Sequence, residues 1–182
     1  TTTKSLSSTV SFTLSSSGVA GSFTKTVYLW VKDAASNVSS SSSDSITLNI
    51  ADTTAPTNPS ISINSGASIT ASSSVTLSLT ASDDVGVTGY YLSTSSSTPS
   101  STASGWTSVT SATSYSGSIS YTLTRGYGSN TVYVWFKDAA GNVSNYSYDN
   151  IDYSPSPPTS PSITINGGAA STDNSSVTLS LS

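Results

Sequence analysis

Five side chains in this sequence have the chemistry of a hard-cation site: Asp52, Asp83, Asp84, Asp138 and Asn142. Each offers oxygen. Ca2+ takes roughly six to eight oxygens from carboxylates, amides and backbone carbonyls, so calcium is the one cofactor these residues suggest. The same residues have a plainer use, because Asp and Asn side chains cap the backbone amides of turns. Both readings stand on the sequence alone. Catalysis finds less support. The chain has no His and no Cys, so the usual base and the thiol nucleophile are missing. It also lacks Glu, so all nine acidic residues are Asp. Asp83 and Asp84 are adjacent, and adjacent carboxylates on an extended chain point apart. With no glycine-rich phosphate loop either, a non-enzyme is expected.

A second kind of chemistry lies in the aromatics. Residues 26–39 read TVYLWVKDAASNVS, and residues 131–144 read TVYVWFKDAAGNVS. Alternation puts Tyr28, Trp30 and Lys32 on one face, and likewise Tyr133, Trp135 and Lys137. Lys is almost never fully buried, so this face should be the outer one. An outward Tyr–Trp row offers a contact surface to another chain or to sugar rings. Alternatively, Lys stems and neighbouring Tyr side chains cover the indole within one unit.

The elements that carry these residues are strands. Val75, Leu77 and Leu79 alternate with Thr76, Ser78 and Thr80, and Ile119, Tyr121 and Leu123 alternate with Ser120 and Thr122. Period two, with one apolar and one hydroxyl face, marks half-buried antiparallel strands. Strands are expected near 59–64, 74–81, 87–93, 106–110, 117–124, 131–137 and 143–151. Turn signals separate them, and this many short strands in about a hundred residues describe a two-sheet β-sandwich. The predicted inward set is Val75, Leu77, Leu79, Ile119, Tyr121, Leu123, Val132 and Val134.

Repetition divides the chain. Pro59–Asn64 (PSISIN) returns as Pro161–Asn166 (PSITIN), and Ser74–Leu79 returns as Ser176–Leu181. Two motifs recurring at roughly one hundred residues indicate tandem copies of one small domain. Residues 1–54 are expected to be the C-terminal part of a repeat, 55–157 a complete repeat, and 158–182 the N-terminal part of a further one. Ser and Thr make up roughly two-fifths of the chain, and the net charge of −4 argues against a nucleic-acid partner. No apolar run approaches the ~20 residues of a membrane-spanning helix.

The segments ADTTAPTNPSISI, ASDDVGVTGYYLS and VYVWFKDAAGNVS together resemble the bacterial immunoglobulin-like repeats of large secreted and cell-surface proteins. The resemblance covers essentially the whole chain. It implies an all-β fold of tandem immunoglobulin-like sandwiches, a bacterial extracellular or cell-surface location, and a structural or adhesive role in a stalk or filament. The partners implied are copies of itself or neighbouring repeats, with surface glycans as a further partner class. A carbohydrate-binding or spacer module of a secreted enzyme is the alternative. In such a sandwich the loops holding Asp83, Asp84, Asp138 and Asn142 lie at the end where the linker bearing Asp52 enters, which places the expected calcium at a junction. The second linker departs from the pattern, with Asp152-Tyr-Ser-Pro-Ser-Pro-Pro158 in place of DTTAP.

Overall fold

The computed structural model describes residues 8–157 and 159–182. Residues 1–7 of the expected first piece and residue 158 of the expected third lie outside the described residues. The regular structure of the described residues is all strand apart from one short 3-10 turn, Asn166–Gly168, with no α-helix among them. In chain order the strands are β1 (Gly21–Leu29), β2 (Ser42–Ile50), β3 (Thr57–Ile63), β4 (Ile69–Thr70), β5 (Ser74–Ser93), β6 (Trp106–Thr122), β7 (Gly128–Asp138), β8 (Ser147–Tyr153), β9 (Ile163–Ile165) and β10 (Leu179–Leu181). β1 pairs with β2, and β9 with β10, as separate antiparallel hairpins.

The remaining six strands form one curled sheet in the order β3-β5-β7-β8-β4, with β6 also on β5. β5 explains the curl. Its first half, Ser74–Ser82, runs between β3 and β6; its second half, Val87–Ser93, runs between β6 and β7. The register shifts between Ser82 and Val87. The sequence predicts two strands here and two more within β6, whereas the structure joins each pair into one long bent strand. The Asp83-Asp84-Val85-Gly86 stretch is therefore a bulge rather than a connecting loop. Asp83 Oδ1 accepts from the amides of Val85 and Gly86 at 3.0 and 2.6 Å, which bends the strand while β6 stays paired on both sides of it. Gly86 is required there: its φ is 149°, and a Cβ would run into the Ser111 hydroxyl.

Bending brings β3 against β7 and β8. The enclosed core holds Ile61, Ile63, Val75, Leu77, Leu79, Val87, Val132, Val134, Phe136 and Ile151. Each fully buried Leu or Ile contributes on the order of 1.5–3 kcal/mol. Six of the eight predicted inward residues are buried; Ile119 and Tyr121 are partly buried and pack on the core edge. Asp149 fastens the two sides, its Oδ2 accepting from the Ile63 amide at 2.8 Å.

The two hairpins match parts of this sheet in strand register and in turn hydrogen bonds. Val27 faces Asp44 and Leu29 faces Ser42 in β1–β2, as Val132 faces Asp149 and Val134 faces Ser147 in β7–β8. The Lys32–Val38 bridge recurs as Lys137–Val143. In β9–β10, Leu179 faces Ile165 as Leu77 faces Ile63, and the Asn64-to-Thr76 amide bond of 2.8 Å recurs as Asn166 to Thr178.

Candidate metal centre

Three apolar rows end in an aspartate. Along β5 the inward positions Val75, Leu77, Leu79 and Ala81 lead to Asp83, and all are buried. Along β7, Val132, Val134 and Phe136 lead to Asp138. Past β2, Leu48 and Ile50 lead to Asp52, all three half-buried. Period two thus carries each carboxylate onto the core-facing side, just where the core ends. One oxygen from each of Asp52, Asp83 and Asp138 lies within 4.8 Å of the others.

The hydrogen bonds divide each carboxylate's work. Asp138 Oδ1 accepts from the amides of Gly141 and Asn142 at 2.7 and 2.9 Å, and Oδ2 accepts from Asn142 Nδ2 at 2.6 Å. This closes the turn after β7. Asp52 Oδ1 accepts from the Thr54 amide at 3.0 Å. Turn capping therefore accounts for one oxygen of Asp52 and one of Asp83. Their Oδ2 atoms are buried with no hydrogen-bond partner. Lys137, next in sequence to Asp138, does not neutralise the cluster, because its Nζ donates to the Ser101 carbonyl at 2.9 Å and lies over the Trp106 ring.

Two of the five predicted ligands do not belong to this carboxylate group. Asp84 is exposed, as strand alternation requires of the neighbour of an inward residue. Asn142 lies at the cluster but acts as a donor: its Nδ2 bonds Asp138 Oδ2 and the Asp52 carbonyl at 3.3 Å, so it positions the carboxylates. The parity of β5 distinguishes Asp83 from Asp84 in the sequence itself, since only Asp83 continues the row from Val75 to Ala81. In the first hairpin the same turn recurs. Asn37 donates to Asp33 from its side chain and its backbone, and this holds the Asp33 carboxyl below its usual range.

The aromatic face requires a correction. Trp135 is fully buried rather than exposed, so at this strand the alternative holds, in which neighbouring Tyr side chains cover the indole. Tyr91, Tyr133 and Tyr146 surround its ring at centroid distances of 6.2, 6.2 and 5.9 Å, and Tyr133 is itself half-buried. Tyr28 and Trp30 also stack, at 5.9 Å, yet each is 56% exposed. Sequence supplies one reason. Tyr133 faces Tyr148 across the ladder, whereas Tyr28 faces Ser43. The spacing that relates the two TVY segments puts Ser41 where the second has Tyr146.

Comparison with protein-family models, with curated proteins and with solved structures finds no match.

Proposed function

We propose that the chain is a segment of a tandem array of immunoglobulin-like β-sandwiches, serving as a structural or adhesive stalk or filament at the bacterial cell surface. One observation carries the reading: the hairpin β1–β2 reproduces β7–β8 in register, in its Lys–Val bridge and in the Asp–Asn clasp of its turn. Two sequences that build the same hairpin to that level of detail are read as copies of one unit. The curled sheet is read as a sandwich whose faces share the two bent strands β5 and β6. Such a unit offers length and stiffness, with chemistry confined to its ends, and the absence of His and Cys from the chain makes a non-enzymatic role the consistent one. Electron microscopy of the native material tests the proposal. Beaded fibres with one bead per repeat are expected; isolated particles attached to a separate catalytic body would reject it.

A second reading has an observation of its own. Tyr127, Tyr146 and Tyr148 are 80%, 46% and 57% exposed, and exposed Tyr rings stack on sugars. Saturable binding to a polysaccharide, lost on replacing these three by Ser, would favour a carbohydrate-binding module.

A further inference from the structure

We propose that Asp52, Asp83 and Asp138 together bind one Ca2+ ion, and that the ion clamps the linker ahead of β3 onto the end of the core. The site does not depend on whether the chain serves as a stalk.

The alternative use of these residues, turn capping, leaves something unexplained. Asp83 is 6% exposed, its Oδ1 saturates the amides of the bulge, and its Oδ2 is buried with no partner. Asp52 repeats the pattern, with Oδ1 capping and Oδ2 buried and unpartnered. A buried carboxylate oxygen without a donor is costly to keep, and costlier beside two further carboxylates. A cation satisfies both orphans and the charge at once. The reach is right as well: oxygens on opposite sides of Ca2+ stand about 4.6–5.2 Å apart, and the three carboxylates fall within 4.8 Å.

The donor set selects the ion. All three ligands are oxygen, with no imidazole or thiolate anywhere in the chain, which disfavours zinc, copper and nickel. Mg2+ commonly keeps several waters and is held by one or two carboxylates, whereas Ca2+ accepts several carboxylates in irregular geometry. Three carboxylates from three separate segments fit Ca2+. Asn142, bonded to Asp138 and to the Asp52 carbonyl, holds two of those segments together before the ion arrives.

Isothermal titration of the metal-stripped chain with CaCl2 tests the site. One equivalent should bind, with Mg2+ competing poorly. Asp83→Asn and Asp52→Asn should each weaken binding by at least about tenfold, while the exposed Asp84→Asn should bind as the parent does. Asp52→Asn lies outside the strands, so it remains informative if Asp83→Asn folds badly. No heat at millimolar Ca2+ would overturn the proposal, and so would a preference for Mg2+. Full affinity in Asp52→Asn would overturn the clamp.

Discussion

Replacing Asp83 by Asn should raise stability without calcium and lower it with calcium. Asn retains an oxygen for the Val85 and Gly86 amides and loses only the charge. In chelator the substitution removes one of three carboxylates lying within 4.8 Å of one another. At an effective dielectric near 20, two unit charges at that spacing repel by roughly 3 kcal/mol. Asp138 is buried and exerts about that much, whereas Asp52 is half-buried, so solvent reduces its share to about 1 kcal/mol. Against this stands the weakening of two hydrogen bonds from a charged to a neutral acceptor, about 1 kcal/mol each. The net favours Asn by about 2 kcal/mol. With calcium at about a thousand times its Kd, binding stabilises the parent by about 4 kcal/mol. Having lost one of three charged ligands, the variant is expected to bind about a thousandfold more weakly, so at that concentration it forgoes most of the 4 kcal/mol and becomes the less stable form by about 2 kcal/mol. In a unit of roughly a hundred residues each kcal/mol moves Tm by about 4 °C. The variant should melt about 8 °C above the parent in EDTA and about 8 °C below it in saturating calcium. Circular dichroism melts across a calcium series read this directly, and the two Tm curves must cross. Parallel curves, with the variant lower throughout, would refute the reasoning and leave Asp83 as a turn cap.

Other outcomes follow from the core, the tyrosines and the tryptophans. Leu77→Ala should cost about 2–5 kcal/mol in urea unfolding, because Leu77 is fully buried, while Thr76→Ala on the exposed face should stay within about 0.5 kcal/mol. Burial pushes the Tyr115 and Tyr121 phenols above the ordinary 10.0, and Tyr90 adds to the rise at Tyr115. Their contribution to stability is complete below 10.0 and is lost as pH rises through the higher folded values, so tyrosinate absorbance should show two late-ionising groups as stability falls. In variants retaining a single Trp, acrylamide should quench Trp30 readily and Trp135 poorly, because Trp135 is fully buried. Trp135→Ser should cost about 3–5 kcal/mol, and Trp30→Ser should leave the melting of 55–157 unchanged.

Much of this arrangement is legible in the sequence because period two is a local property. The apolar rows of β5 and β7, the duplicated TVY strands and the Asp–Asn turn need only nearby residues to specify them. What alternation cannot reveal is continuity. Asp83–Gly86 has the composition of a turn, and whether it ends a strand or bends one depends on β6, more than twenty residues away, staying paired across it. Trp135 fails for a similar reason. Its parity is outward, as read, but outward means exposed only when nothing lies on that face, and Tyr91 and Tyr146 arrive from β5 and from the segment before β8. The Lys two residues on does not signal exposure either, since its Nζ lies over the Trp106 ring and donates to the Ser101 carbonyl.

The two ends of the proposed 55–157 unit are not equivalent, and this bears on how an array of such units would behave. At the first, Asp52 reaches Asp83 in the β5 bulge and Asp138 at the end of β7, and its carbonyl accepts from Asn142 at 3.3 Å. The spacing that relates the two PSI-x-IN segments puts Ser154 in the place of Asp52 at the second. There the chain is tied instead to the unit it leaves: the Asp152 amide donates to the Ser68 carbonyl at 3.0 Å and the Ser154 amide to the Thr70 carbonyl at 2.9 Å, alongside the parallel β4–β8 pairing. The prolines that follow restrict the backbone without adding donors. If the proposed ion binds, it stiffens the boundary with three carboxylates, whereas the boundary held by backbone hydrogen bonds and proline is expected to be indifferent to calcium. In an array of such units, a joint would answer to calcium where the linker places an Asp at the cluster, as at Asp52, and would not where a Ser stands in that place, as at Ser154.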